Sequence, residues 1–413
     1  MKDIGIIGTN TGMLLAYLLC DDFNVTLFEK ENRTGGHLNT LKIPQIGGKD
    51  GKNGSNKNFA VIEAGAEFIN DSYVKTLKLI KHLGIKTNSF LMTMEYINGE
   101  ERIPLSPDLL IDFDYKMFPL LLDLQRLILT YKKEKAGLEK NPITLDEYMD
   151  SQTYMNNKSK NYVRKVCSSS WGIHPSKAGI SLVYYMLNYL ASHPIFKEVI
   201  GGLSEIIRKL EKRIDKKVKI CKSSEITDVS KIDGKYFVMS GSNILGSFDD
   251  VVICTNAKIS NQISHTDINE FLSKVSYYDT LVSFQKNENE KLNKNIVVHI
   301  VDNGEYAETT ILKSFNSDIS KKWCLDGIVP ENSIEARKYE HPYMDIDYFN
   351  AQEAIKRFNS KKTGIYYGSI IAGYDDSYES GVTASVDIAK IIYSKYELKK
   401  SPKFDIFSES SCC

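Results

Sequence analysis

The sequence predicts an α/β protein in two interleaved units, and three observations carry that expectation. A β-turn-α-β pattern fills the first 29 residues, period-two strands return between residues 218 and 254, and a strand followed by a helix closes the chain after residue 365. At 413 residues the chain is also too long for one compact core.

The elements follow in order. Residues 4–7 form a short apolar strand, Gly8 to Gly12 a tight turn, residues 13–20 an apolar helix, and residues 24–28 a second strand that ends in Glu29. Residues 49–58 are polar and rich in Gly and Asn, which predicts a surface loop before a strand at 59–63. Residues 109–133 place Leu110, Phe113, Met117, Leu121, Leu124, Leu127 and Ile128 at helical spacing, with a stop expected in the charged run 132–135. Further helices are expected at 184–190 and 203–214, then strands at 218–221, 236–239 and 251–254. Residues 279–315 are strand-rich, 365–368 read as a strand, and a helix begins near Ser380. The tail from residue 399 reads as loosely attached.

Composition narrows the function classes. Lys plus Arg and Asp plus Glu each number 53, so no global field favours nucleic acid or an acidic membrane. The seven cysteines form no C-x-x-C pair, which points to a reducing, cytoplasmic setting rather than a disulfide framework. The opening residues read straight into a strand rather than as a signal peptide, and no stretch is apolar enough to span a membrane. Cys412-Cys413 reads either as a dangling tail or as a prenylation signal.

The turn after the first strand carries the first chemistry. Glycines there let a backbone approach a pyrophosphate, and the following helix presents free N–H groups to it. Here the loop Gly8-Thr9-Asn10-Thr11-Gly12 is one residue shorter than G-x-G-x-x-G, with Asn10 at the middle glycine. Asn tolerates a left-handed backbone better than other non-glycine residues, but its side chain occupies space near the phosphates. Glu29 ends the second strand about 20 residues on, where a carboxylate accepts from ribose hydroxyls. Loop and acid together describe a Rossmann-type dinucleotide-binding unit.

The stretch Glu29-Lys30-Glu31-Asn32-Arg33-Thr34-Gly35-Gly36-His37-Leu38-Asn39-Thr40 resembles the acid-to-Gly-Gly-to-Thr run of the flavin amine oxidase superfamily, which includes monoamine oxidases, phytoene desaturases and UDP-galactopyranose mutases. Glu63-Ala64-Gly65-Ala66, Val199-Ile200-Gly201-Gly202-Leu203, Ile226-Thr227-Asp228-Val229, residues 251–257, Tyr367-Gly368 and Gly381-Val382 resemble the later motifs of the same family. Within it the chain is most similar to bacterial flavin-containing amine oxidoreductases. The resemblance implies non-covalent FAD on a glutathione-reductase-like α/β domain (residues 1–90, 199–262 and 360–396), a mixed α+β substrate domain (91–198 and 263–359) and a flexible tail (397–413). It assigns cofactor contacts to Gly8, Asn10, Thr11, Gly12, Glu29, Lys30, Gly35, Gly36, His37, Gly65, Ala66, Ile226, Gly368, Ser369, Gly381 and Val382. Ser369 departs from the family, which carries an acid after the last-strand glycine.

The implied reaction is oxidation of a C–N or C–C bond of a small organic substrate, with flanking aromatic side chains aligning it. Trp171, in a polar stretch read as a turn between helices, Tyr278 and Tyr374 are the candidate catalytic residues. The seven histidines have no metal-ligand spacing, so no metal is expected. Two rival readings stand beside this one: a flavin-dependent isomerase or mutase, and a non-catalytic fold that binds nucleotide weakly.

Overall fold

The computed structural model describes residues 1–44, 59–91, 93–99, 101–104, 118–138, 143–171, 174–176, 178–179, 195–286, 297–302, 307–312, 319–324, 327–399 and 401–408. The expected β-turn-α-β unit is present as strand Asp3–Ile7, helix Gly12–Leu19 and strand Asn24–Phe28. These two strands lie inside a five-stranded sheet in the order Val218–Cys221, Asn24–Phe28, Asp3–Ile7, Asp250–Ile253, Ile365–Tyr367. All four pairings are parallel. Parallel neighbours need crossovers, and here the crossovers are most of the protein.

Every residue of the helix Gly12–Leu19 is buried, because it is packed by helix Ser204–Ile214 on one side and helix Tyr378–Lys395 on another. Helix Ser204–Ile214 is amphipathic and turns Ile206, Ile207, Leu210 and Ile214 inward. A Cβ on Gly381 would stand 2.4 Å from Thr11 Cγ2, so the last helix can meet the first turn only without a side chain there. Ser385 strengthens the contact by donating to the Thr11 carbonyl at 3.1 Å.

A second, seven-stranded mixed sheet runs in the order Ser333–Pro342, Tyr277–Lys286, Ile319–Cys324, Ala307–Leu312, Val297–Asp302, Thr93–Asn98, Glu101–Pro104. An antiparallel three-stranded sheet (Asp228–Ile232, Lys235–Ser240, Asn243–Phe248) stands beside the parallel one.

Three sequence expectations change. The helix expected at 109–133 is described from Phe118 to Leu138 and runs through the charged segment, since Tyr131 and Leu138 still reach the core while Lys132 and Lys133 face solvent. Leu110, Phe113 and Met117, like the helix expected at 184–190, lie outside the described residues. Trp171 is not in a turn: it is the last residue of helix Asn157–Trp171. The closing helix starts at Tyr378, two residues before Ser380, because Ser377 caps it by accepting from the Ser380 N–H.

The tail is also held more firmly than its composition suggests. Residues 402–407 form a 3-10 turn whose Phe404 is 2% exposed and packs edge-on against Tyr393 at 5.3 Å. Lys403 donates to the Tyr17 carbonyl at 2.5 Å and pairs with Asp21 at 2.8 Å. Phe404→Ala should therefore cost about 3 kcal/mol of unfolding free energy, the scale for emptying a buried aromatic site. Urea denaturation measures it, and a change within about 0.5 kcal/mol would mean that the tail is peripheral.

Candidate functional site

A cavity of about 450 Å³ opens beyond the carboxyl ends of the parallel strands, lined by Ile7 and Gly8, Phe28 and Glu29, Cys254, and Ser369. This is where an open parallel sheet leaves room between diverging crossovers. Its lining includes Phe28, Glu29, Lys30 and Ile226 together with Gly8, Asn10, Gly36, His37, Tyr277, His341, Ser369 and Ile370. Of the expected contacts the structure thus gathers Gly8, Asn10, Glu29, Lys30, Gly36, His37, Ile226 and Ser369 on one surface.

The loop geometry explains the glycines. Gly8 has φ 96°, and a Cβ there would stand 2.6 Å from the Cys254 carbonyl oxygen. Only glycine fits. Glu29 is 7% exposed and accepts from the Glu31 N–H at 3.0 Å and from the Thr9 hydroxyl. Thr9 in turn accepts from the Gly35 N–H at 2.9 Å. Asn10 does not use its tolerance of a left-handed backbone: at the cavity the non-glycine residue with a positive φ is Ser369, at φ 68° and ψ −172°. That backbone is costly for any residue with a Cβ.

The remaining expected contacts do not line the cavity; they hold those that do. A Cβ on Gly65 would stand 2.1 Å from the His37 carbonyl oxygen, and the Ala66 N–H donates to that oxygen at 3.1 Å, so this segment pins His37. Glu63 accepts from the Leu203 N–H at 2.7 Å and from the Thr40 hydroxyl at 2.9 Å, while Thr40 and Ser204 exchange two further hydrogen bonds. Three separated motifs are thereby knotted behind the Gly35-Gly36 turn. Gly12, Thr11, Gly381 and Val382 belong to the helix packing described above, and Gly35 and Gly368 sit beneath the lining.

On the substrate side, Tyr277 lines the cavity and Tyr278 stands behind it, stacked on His341 at 5.8 Å. Tyr277 accepts from the Ala257 N–H at 2.8 Å, and burial pushes its phenol up to about 12. Tyr374 is 46% exposed and lies outside the lining, and the Trp171 side chain lies outside the described residues. His37 stacks on His341 at 6.3 Å and meets Tyr339 edge-on at 5.5 Å.

Sequence reading missed Lys321. It is 2% exposed, donates to the Gly65 carbonyl at 3.0 Å and pairs with Glu67 at 2.9 Å. Its signal was the alternation of strand Ile319–Cys324, which turns Ile319 and Lys321 to the same inner face. Thr9 and His341 were missed too, and nothing local marks His341. Among the described residues no three His, Cys, Asp or Glu side chains gather as a metal site, and no helix is long and apolar enough to cross a membrane.

The arrangement suits a dinucleotide: a glycine cradle that a Cβ would fill, and a buried Asn10 Oδ1 without a hydrogen-bond partner beside it. Comparison with known proteins agrees. Residues 11–275 match the family model for flavin-containing amine oxidoreductases. A putrescine oxidase with bound putrescine shares 12% identity, covering 95% of this chain and 99% of that one at a TM-score of 0.69. The cyclohexylamine oxidase of Brevibacterium oxydans IH-35A shares 13%, with the same coverage and a TM-score of 0.68. A fatty acid isomerase from P. acnes that produces CLA shares 14%, covering 96% and 98% at 0.66. At such identities the likeness is one of fold. No protein of curated function matches the chain.

His341 yields a pH prediction. Loss of solvation first, then His37 and Lys321, pushes its imidazole down to about 3, against 6.5 when unfolded. Below pH 6.5 the unfolded chain takes up a proton that the folded chain refuses, so stability falls as pH drops from 6.5 toward 3. His341→Phe should lose stability less steeply across that window, as read from urea midpoints at several pH values. Parallel curves for the two proteins would refute it.

Proposed function

The chain belongs to the flavin-containing amine oxidoreductase family, and we propose that it is an FAD-dependent oxidoreductase acting on a C–N or C–C bond of a small organic substrate. The observation that carries this reading is the continuous lining from Ile226 and Glu29, past Gly8 and Gly36, to Tyr277, His341 and Ser369. Glu29 and Lys30 would hold the adenosine end with Phe28 and Ile226, and Gly8 and Gly36 the pyrophosphate. Bound FAD supplies a two-electron acceptor that no side chain can replace.

The residues of the chain do the rest. Tyr277 and His341, the latter backed by Tyr278, form an aromatic wall that orients an apolar or uncharged group. Lys321 is held behind His37 by the Glu67 carboxylate, its buried counter-charge, and by the Gly65 carbonyl. The resemblance expects negative charge to be stabilised at the start of the closing helix Tyr378–Lys395, whose Gly381 packs against Thr11 of the first turn. In this reading residues 1–90, 199–262 and 360–396 carry the cofactor, and 91–198 and 263–359 the substrate. A reducing, cytoplasmic setting belongs to it as well, supported by seven scattered cysteines that form no C-x-x-C pair.

The purified protein should be yellow and should release FAD on heating, identified by chromatography; FMN or no flavin after reconstitution would refute the cofactor. Glu29→Ala should weaken FAD binding by about 1.5–3 kcal/mol, as for lost hydrogen bonds to a charged group. Anaerobic mixing with amines, amino acids and unsaturated lipids should bleach the flavin for at least one class, and Trp171→Ala should slow it. Because the same fold also carries a fatty acid isomerase, turnover without net oxidation would move the assignment to an isomerase.

A further inference from the structure

The first turn is short and lacks its middle glycine, so it offers a dinucleotide less backbone than G-x-G-x-x-G does. Two side chains occupy the place of what is missing. Thr9 is 1% exposed; its hydroxyl donates to the Glu29 carboxylate and accepts from the Gly35 N–H at 2.9 Å. One hydroxyl thus ties together the loop, the acid and the Gly35-Gly36 turn. Asn10 lines the cavity beside Gly36, and its Oδ1 is buried with no hydrogen-bond partner.

The geometry points to Thr9 as a positioning residue for the dinucleotide and to Asn10 as a direct contact, the pair standing in for the absent loop residue. This rests on the FAD reading above. Without Thr9, Glu29 keeps the Glu31 N–H as its hydrogen bond, and a ligand would have to order both the carboxylate and the Gly35-Gly36 turn as it binds. With Thr9 in place each carboxylate oxygen has one internal donor, which leaves acceptor capacity on both for ribose hydroxyls. At Asn10 a buried acceptor lacks a donor, which is unfavourable until one arrives. The ribose and ribityl hydroxyls of FAD are such donors. Glycine at this position would relieve no left-handed backbone, because Asn10 has none, and it would remove the contact.

The test is equilibrium titration of the full-length, cofactor-stripped protein with FAD, read by flavin fluorescence, with the melting temperature of each ligand-free variant measured alongside. Thr9→Val should raise the Kd about tenfold or more, the scale of a lost charge-assisted hydrogen bond. Thr9→Ser should stay within about threefold of the wild type. Because Thr9 acts through Glu29, Thr9→Val should add little to Glu29→Ala in the double variant. Asn10→Gly should weaken binding about threefold or more. If Thr9→Val does not fold, Thr9→Ala against Thr9→Ser makes the same comparison. Wild-type affinity in Thr9→Val, or full additivity with Glu29→Ala, overturns the positioning role, and equal or tighter binding by Asn10→Gly overturns the contact. A wild-type protein that binds no FAD instead removes the cofactor reading, and this inference with it.

Discussion

A helix with no face toward solvent, Gly12–Leu19, sets the terms for the rest of the molecule. A buried helix must be packed on all sides, and its neighbours come from chain segments nearly 200 and 370 residues away (Ser204–Ile214 and Tyr378–Lys395). Those partners can close only where side chains vanish, as at Gly381 against Thr11. The parallel sheet obeys the same constraint: strands Val218–Cys221, Asp250–Ile253 and Ile365–Tyr367 all add to the first β-turn-α-β unit. The cavity is what remains where these distant segments diverge beyond the strand ends.

Buried carboxylates do the joining. Glu63, 3% exposed, binds Thr40 and the start of helix Ser204–Ile214. Glu379, 4% exposed, accepts from the Lys75 and Thr76 N–H groups and from the Thr76 hydroxyl. Burial raises the Glu379 pKa while these donors lower it. A carboxylate fed by two N–H groups at a helix start satisfies orphan donors and ties one helix to another at once. Both acids lie in segments whose family resemblance suggests cofactor work, yet neither lines the cavity.

What the sequence made legible was local. The β-turn-α-β unit, Glu29 and the strands between 218 and 254 follow from period and spacing, and they lie where expected. Gly65, Ala66 and Gly381 show the limit: a motif says that backbone must come close to something, but not to what. They approach His37 and Thr11. Lys321, His341 and Tyr348 come to the site from strands and a helix far along the chain, where only the tertiary fold gives proximity. Tyr278 reaches the site through its stack on His341 while Tyr277 lines the cavity itself, a division of places that the strand pattern alone does not give.

Ser369 holds a conformation that glycine would adopt without strain, at a standing cost of about 1–3 kcal/mol. The surrounding structure supports it: Gln352 and Asn359 bond to the Ile370 and Tyr367 carbonyls on either side, and Ser369 starts the 3-10 turn Ile370–Ala372. That cost is small beside the stability of a folded chain but large beside the energy that separates a good ligand site from a poor one. The cavity is therefore shaped before anything enters it, and an incoming molecule meets a rigid edge rather than a loop that must freeze around it. In the reading proposed above, selectivity at this edge would come from misfit, since a guest of the wrong outline would find nothing there that yields.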